Sequence, residues 1–432
     1  MTGLLTLYQS ATKAGKPLLN MLLQNRVKRG KEDPARLGER KGMASLTRPN
    51  DSVIWLHAAS VGEAQSALIL LDAIEINHPS VSVVVTTGTV TSATLMQRRL
   101  PRNAVHQYAP LDHPAWVENF LDHWRPDLAL WMESELWPNM LTALRARKIP
   151  AALVNARLSD NSYRNWKFAR GFAKSLLDCF TLILAQTQKD AAHYESLGAN
   201  NVIVSDNIKY SAAPLPYDEL ALSTLKLAVG ERPVWVYAST HAGEESLACR
   251  VHKTLKETLP DLLTIIVPRH PERRDDIANI CFENSVKFRL RGKTLALPTS
   301  DDDIYIADTL GELGLFYTLS PIAMIGRSFS DDGGGGHNPV EAAQLGCAVL
   351  TGPNNQFQMQ LYDDMRMDFA VREVRTENEL IAALLELMTD PELLKDMQRN
   401  TSAFVKRKTH VVDRVLELLS PMLKTLEGRN AA

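Results

Sequence analysis

Pro321-Ile-Ala-Met-Ile325 followed by Gly333-Gly-Gly-Gly-His-Asn-Pro-Val-Glu-Ala-Ala343 reads as a β-prone run, a glycine loop and a helix start. Four glycines leave room for backbone N–H groups to close around an oxyanion, and Asn338 then Pro339 is a good N-cap followed by a good first helical residue. That describes a phosphate-sized anion site at a helix N-terminus, with His337 as an extra donor. Glu341 stands three residues after Asn338, so a capping box fits the same spacing, its carboxylate reaching back to the cap N–H. The glycines favour the anion site, because a cap has no use for them. Neither common phosphate fingerprint is present: there is no Gly-x-x-x-x-Gly-Lys-Ser/Thr, and the glycines lie late in the chain instead of after its first strand. A P-loop enzyme and a dehydrogenase are disfavoured, while nucleotide binding stays open.

Working outward, short apolar runs alternate with helical patterns: Val53 to His57, Val81 to Thr86, Leu128 to Met132, Ala152 to Val154, Leu182 to Ala185 and Val202 to Val204. After a pause at Ser211-Ala-Ala-Pro-Leu-Pro216 a second set begins with Val234 to Ala238, Leu263 to Pro268, Ile304 to Ala307, Pro321 to Ile325 and Ala348 to Thr351. Alternation of this kind means parallel βαβ units. The expected architecture is α/β, two Rossmann-like parallel-sheet domains: residues 51–213, then 214–432 after a hinge near Pro214. The helical stretch from Glu377 to Leu426 closes the second domain and can return toward the first.

At 432 residues the chain exceeds one ordinary core, which agrees with two domains. A net charge of −2 gives no reason to expect a nucleic-acid partner. Cys179, Cys249, Cys281 and Cys347 are widely spaced with no C-x-x-C pair, so neither a metal knuckle nor a disulfide framework is indicated, and the cytosol is the expected compartment. Residues 1–50 are different. They carry Lys13, Lys16, Arg26, Lys28, Arg29, Lys31, Arg36, Arg40, Lys41 and Arg48 against Glu32, Asp33 and Glu39, with apolar stripes at Leu4, Leu5, Leu7 and Leu18 to Leu23. No charge-free run approaches the about 20 residues of a membrane span. Two readings fit this basic amphipathic arm: an interfacial helix on anionic lipid, or a helix docked on its own domain.

Ligands of open parallel sheets bind at the carboxyl ends of strands, so the residues just after each run carry the candidate chemistry. His57-Ala-Ala-Ser60-Val-Gly62-Glu63 puts a carboxylate in a first helical turn, where the dipole would keep Glu63 ionised and ready to accept a proton. Glu133-Ser-Glu135-Leu-Trp137-Pro-Asn139 is an acidic turn. Ser239-Thr240-His241-Ala-Gly243-Glu244 and Pro268-Arg269-His270-Pro271-Glu272-Arg273 follow the first two strands of the second set, and Arg269 with His270 suits a nucleotide base or phosphate. Asp308-Thr-Leu-Gly311-Glu312-Leu313 offers a turn whose backbone can contact a ribose or base edge. Asp331-Asp332 and Asp301 to Asp303 are adjacent runs, read as solvated loops instead of an Asp-x-Asp metal motif.

Taken together, His57-x-x-Ser60-x-Gly62-Glu63, Glu133-x-Glu135-Leu-Trp-Pro-Asn139, Asn207-Ile-Lys209, Pro268-Arg-His-Pro-Glu-Arg273, Asp308-Thr-x-Gly311-Glu312-Leu313 and Gly-Gly-His337-Asn-Pro-x-Glu341 resemble the 3-deoxy-D-manno-octulosonic acid (Kdo) transferases of lipopolysaccharide synthesis, from about Arg36 to Pro353. The resemblance implies a GT-B fold, with two Rossmann-like domains facing across a cleft. It implies transfer of Kdo from CMP-Kdo to the glucosamine disaccharide of a lipid A precursor (lipid IVA), at the cytoplasmic face of the inner membrane, with peripheral attachment to its anionic lipids. By the same resemblance Glu63 is the catalytic base, and Glu133 with Lys209 stabilises the transition state. CMP is contacted by Pro268, Arg269, Leu310, Gly311, Glu312, Leu313, Gly335, Gly336, His337, Asn338, Pro339, Val340 and Glu341. Ser60, Gly62 and Glu135 lie on the acceptor side, in the N-terminal domain. Two departures are visible: Asp206 stands where the family has glycine before Asn-x-Lys, and the N-terminal apolar anchor is weaker than the family pattern.

The chemistry agrees with that expectation. CMP-Kdo carries an activated anomeric carbon, so one carboxylate to accept the hydroxyl proton and one anion cradle for the departing phosphate suffice, with neither cofactor nor metal required. Inversion follows if the hydroxyl attacks opposite the CMP. Two rivals stay open: another GT-B nucleotide-sugar enzyme such as an epimerase, or a non-catalytic nucleotide-sugar-binding module.

Overall fold

The computed structural model describes residues 2–430 apart from Lys293 and Asp331, so Asp331 of the acidic run lies outside the described residues. The chain divides into two compact units, Met1–Ala212 with Thr409–Ala432, and Ala213–Lys408. Each is built on a parallel sheet of seven strands.

The first sheet takes β1 (Val53–His57), β2 (Ser82–Thr87), β3 (Ala104–Tyr108), β4 (Leu128–Met132), β5 (Ala151–Ala156), β6 (Leu182–Ala185) and β7 (Val202–Val204), in the order β3-β2-β1-β4-β5-β6-β7. β1 and β4 are buried on both faces, as the apolar runs Val53 to Leu56 and Leu128 to Met132 require of a sheet covered by helices on each side. Trp55 of β1 packs on Phe120 and Trp131, with ring centroids 4.4 and 4.8 Å apart, and its indole N–H donates to Thr86 Oγ1 on β2 at 2.9 Å. A buried tryptophan is tolerated in a core when its single donor is met in this way.

The second sheet takes β8 (Val234–Thr240), β9 (Leu263–Pro268), β10 (Phe288–Leu290), β11 (Ile304–Ile306), β12 (Ile322–Ile325), β13 (Ala348–Thr351) and β14 (Arg372–Glu373), in the order β10-β11-β9-β8-β12-β13-β14. The same device recurs here: Trp235 of β8 donates to Thr264 Oγ1 of β9 at 2.8 Å. In both sheets the strand order reverses beside the first strand, between β1 and β4 and between β8 and β12. Loops leaving the two strands at such a switch point diverge and open a crevice at their carboxyl ends.

Three edge strands, β3, β10 and β14, were not among the apolar runs of the sequence. Ala104–Tyr108 mixes histidine and glutamine into its strand, and Arg372–Glu373 is two charged residues long. The last helix, Val411–Asn430, departs from the expected 214–432 domain. It packs on the helix Val61–Asn77 of the first unit, and Ser52 Oγ donates to Leu426 O at 3.0 Å.

Residues 1–50 are not one continuous arm. Glu32, Glu39 and Arg40 are buried: Glu39 accepts from Tyr108 N at 2.7 Å and from Arg36 at 2.8 and 2.9 Å, and Arg40 pairs with Glu32 at 3.4 Å. The helix Thr2–Ala14 turns its polar side to the domain, where Tyr8 Oη donates to Asp112 at 2.9 Å and Thr12 Oγ1 accepts from Asn139 at 3.1 Å. Leu4 and Leu7 point the other way. Leu4 and Leu7, with Leu18, Met21 and Leu22 of the helix Lys16–Lys28, are exposed. No described helix is long and apolar enough to cross a membrane.

Candidate active site

In the first unit, the chemistry gathers at the switch point. β1 ends at His57, and Ser60 caps the helix Val61–Asn77 by accepting from Glu63 N at 3.2 Å. The Glu63 carboxylate reaches back: Oε1 accepts from Ser60 Oγ at 2.9 Å and Oε2 from Ala59 N at 2.8 Å. Ser60-x-x-Glu63 is therefore a reciprocal cap, a spacing legible in the sequence but considered there only for Asn338 and Glu341. A carboxylate has about four acceptor positions, so each oxygen keeps one for a ligand.

The expectation that the helix dipole keeps Glu63 ionised needs correction. Burial pushes its pKa up to about 7, further raised by the charges of Glu133 and Glu135, while the bonds from Ala59 and Ser60 pull the other way. Removal from water outweighs the dipole because only 7% of the residue is exposed. A group so poised exchanges protons near neutrality.

Beside β1, β4 ends at Met132 and Glu133 adopts a left-handed φ of +56°, which turns the chain at once. Both acidic residues of this turn act on Glu63, and burial likewise raises the Glu135 pKa. The Lys209 ammonium closes the group. It lies 3.9 Å from Glu133 Oε1, and a Cβ at Gly62 would stand 3.7 Å from its Nζ, so glycine leaves that space open. The short helical turn Ile208–Ser211 that carries Lys209 is fixed by Asn207 Oδ1, which accepts from Lys209 N at 3.0 Å, and by Asn155 Oδ1, which accepts from Ile208 N at 3.0 Å. Asp206 has φ +65°, the left-handed region that glycine favours and aspartate tolerates, so the departure from glycine is accommodated. His57 does not join in: it is buried with Nδ1 on Thr86 Oγ1 at 2.9 Å, and burial pushes its pKa down to about 3. Asn139 is structural as well, with its N and Nδ2 on Asp112 at the start of the helix Pro138–Ala146.

In the second unit the loops after β8 and β12 meet. The second half of the glycine loop does not join the cradle expected of it. Gly335 N and Gly336 N both donate to Arg327 O at 3.2 Å, and His337 N donates to Gly326 O at 3.2 Å, so these three N–H groups are already used within the loop. The glycines serve the path of the chain. Gly335 and Gly336 have φ +144° and +68°, and a Cβ on Gly336 would stand 3.0 Å from Asn355 Oδ1 and 3.1 Å from Tyr362. Nor does Glu341 cap the backbone: its Oε1 accepts from Asn338 Nδ2 at 3.2 Å, while Asn338 Oδ1 accepts from Val340 N at 3.1 Å. Pro339 is the N-cap of the helix Val340–Gln344, one residue later than expected.

Around the loop stands side-chain chemistry for a ligand. His337 and His241 stand side by side, and the charge of Arg269, an exposed side chain after β9, acts on both His337 and Glu341. Pro268 ends β9. Leu310 and Gly311 are exposed beside Glu312, whose carboxylate is held by Arg291 at 2.6 and 2.7 Å, and Leu313 begins the helix Leu313–Leu319. The sequence reading quoted Glu244 and Arg273 without a role and missed Glu245, the residues that hold this region together. Buried Glu244 accepts four backbone N–H groups, from His241, Arg327, Ser328 and Phe329, at 2.8 to 3.1 Å. Glu245, fully buried, takes Thr240 Oγ1 at 2.9 Å and both Arg273 terminal nitrogens at 2.8 and 3.2 Å. Two successive carboxylates in a first helical turn were the available signal.

Comparison with known proteins follows the same lines. The family described as 3-deoxy-D-manno-octulosonic-acid transferase (kdotransferase) matches residues 35–212. The chain is 34% identical to a 3-deoxy-D-manno-octulosonic acid transferase of Rickettsia bellii over 94% of this chain and 96% of that one, and 31% identical to one of Haemophilus influenzae over 90% and 92%. Among solved structures it is similar to a UDP-GlcNAc 2-epimerase of Neisseria meningitidis, with a TM-score of 0.57 and 14% identity over 85% of this chain and all of that one, a likeness of fold in the GT-B class.

Proposed function

From the chain's membership of the 3-deoxy-D-manno-octulosonic acid (Kdo) transferases, enzymes of Kdo transfer, we propose its particular reaction: Kdo moves from CMP-Kdo to a hydroxyl of the glucosamine disaccharide of lipid IVA, with inversion. The observation that carries the reading is Glu63, a carboxyl with a pKa of about 7 at the switch point of the first sheet, in the company of Glu133 and Lys209. The first unit holds the acceptor, with Ser60, Gly62 and Glu135 around the hydroxyl. Glu63 accepts the hydroxyl proton as oxygen bonds to the anomeric carbon, and the bond to the CMP phosphate breaks on the opposite face. The Lys209 ammonium offsets charge on the reacting sugar, and Glu133 orients that ammonium.

The second unit holds CMP. Arg269 and His337 meet the phosphate, Asn338 to Glu341 and Pro268 line its neighbourhood, and Leu310 to Leu313 meet the nucleoside. Gly335→Val tests this assignment, since valine is strained at φ +144°. CMP binding by calorimetric titration is expected to fall at least about tenfold while acceptor binding is unchanged; parent-like CMP affinity would show the donor site to be misplaced.

The reaction itself is tested by incubation with CMP-Kdo and a tetra-acylated glucosamine disaccharide, followed by mass analysis. Acceptor heavier by Kdo supports the proposal. Isomerised donor would make the chain an epimerase, and no change in either a binding module.

Membrane attachment at the cytoplasmic face of the inner membrane belongs to the same reading. A helix whose Leu4 and Leu7 face solvent while Tyr8 and Thr12 face the domain is inverted for a soluble protein, and Lys13, Lys16, Lys28 and Arg29 are exposed nearby. Flotation with anionic liposomes is expected to carry the protein. Binding should weaken with salt, as about 1 kcal/mol per surface cation is screened. Equal binding to neutral and anionic vesicles would sink the electrostatic part of this reading.

A further inference from the structure

His241 follows β8 and His337 follows the glycine loop after β12, the two strands at the switch point of the second sheet. Their Nε2 atoms are 3.0 Å apart, with rings stacked at 29° and centroids 5.2 Å apart. Two ring nitrogens at that distance share a single hydrogen. On the far side, His241 Nδ1 lies 3.2 Å from Asp332 Oδ2. An ionised carboxylate only accepts, so His241 carries hydrogen on Nδ1. The consequences for His337 follow from counting. With His241 neutral, its Nε2 is a lone pair, His337 donates to it from Nε2, and His337 Nδ1 is left as a bare acceptor. With one more proton His241 is an imidazolium held between Asp332 and His337; it donates from Nε2, and the hydrogen of His337 sits on Nδ1.

We propose that Asp332 and His241 make phosphate binding at His337 proton-linked: the imidazole pair takes up one proton as the anion seats, and His337 Nδ1 changes from acceptor to donor. His241 is thus a positioning residue acting through His337, and the inference rests on the reading that His337 meets the phosphate of CMP. The surroundings set the direction. Arg269 and Arg327 bring positive charge to His337, the His270 ring is 5.8 Å from His241, and Asp332 is the carboxylate facing the pair. Glu341 interacts with Asn338 and Arg269, and Glu244 takes only the backbone N–H of His241. The Tyr362 hydroxyl donates to His337 O at 2.7 Å and fixes the backbone. Burial holds both imidazoles below their ordinary value, His337 at about 4, so the pair is neutral at pH 7. An arriving dianion reverses the balance, because a nearby negative charge favours the protonated ring.

The experiment is calorimetric titration of the full-length protein with CMP at pH 7.5 in buffers of different ionisation enthalpy, which counts protons taken up per CMP bound. The parent is expected to take up close to one, and its affinity to fall about tenfold per pH unit above the free-state pKa, levelling off once the bound-state pKa is passed. His241→Phe should bind CMP about tenfold more weakly at pH 7.5, with little proton uptake and a flatter pH profile; Asp332→Asn should lie between. A mere loss of packing would weaken binding without changing the proton count. CMP binding by the parent without proton uptake, or full uptake in His241→Phe, would overturn this inference alone. A parent that does not bind CMP would remove the donor-site reading and this inference with it.

Discussion

Glu63→Gln is expected to lower turnover by about 10² to 10⁴, the range for loss of a general base, with CMP binding unchanged. Glutamine keeps the size and one acceptor. Its amide oxygen can keep the bond from Ala59 N, and the Ser60 hydroxyl, which donates to the carboxylate now, can turn to accept from the new NH₂, so stability should change by no more than about 1 kcal/mol. A capping residue with no chemical role predicts that small stability change and normal turnover. The pH profile adds a second handle. The base must be deprotonated, so with a pKa of about 7 the parent kcat/KM for the acceptor, at saturating CMP-Kdo, should fall tenfold per unit as pH drops below 7 and level off above it. Glu63→Gln should lose that limb. Glu133→Gln belongs beside it, because Glu133 shares the site: if Glu63→Gln turns over at the parent rate and Glu133→Gln is dead, the base is Glu133.

Glu244→Ala should be the most damaging single change in the second unit. The carboxylate collects the N–H groups of His241, Arg327, Ser328 and Phe329, and so welds the loop after β8 to the one after β12. Each buried donor left without a partner costs about 1–3 kcal/mol, partly relieved by water entering the space, so a net loss of about 3 kcal/mol or more is expected in urea unfolding. CMP affinity should fall too, because both histidines ride on these loops. Glu244→Gln should recover little, since its NH₂ would face N–H donors. A stability change under about 1 kcal/mol for Glu244→Ala would mean that the four bonds are dispensable.

The two predictions concern the same position in different sheets, the first helical turn after the first strand. In the first unit the carboxylate keeps acceptor positions free; in the second, all its capacity is spent on the backbone. Sequence alone separates them poorly, because Ser60-Val-Gly62-Glu63 and His241-Ala-Gly243-Glu244 look alike.

The sequence by itself determined the class of the protein. Strands such as Leu128–Met132, Leu182–Ala185 and Ile322–Ile325 are continuous apolar runs because both faces of a helix-covered parallel sheet are buried, and such runs are legible without any tertiary information. The motifs after those strands pointed to the family, since ligands of such sheets sit at strand ends. Tertiary structure decided the rest. The edge strands β3, β10 and β14 are paired on one side only and tolerate polar residues, so their sequences carry no apolar signal. The protonation of Glu63 depends on how much water the surrounding loops exclude and on two glutamates about seventy residues away, neither of which local spacing encodes. In the glycine loop after β12 the N–H groups of Gly335, Gly336 and His337 are spent on the carbonyls of Arg327 and Gly326, a pairing that depends on where the chain folds back. The meeting of His241 with His337 across 96 residues of sequence was decided by strand order, which laid β8 against β12.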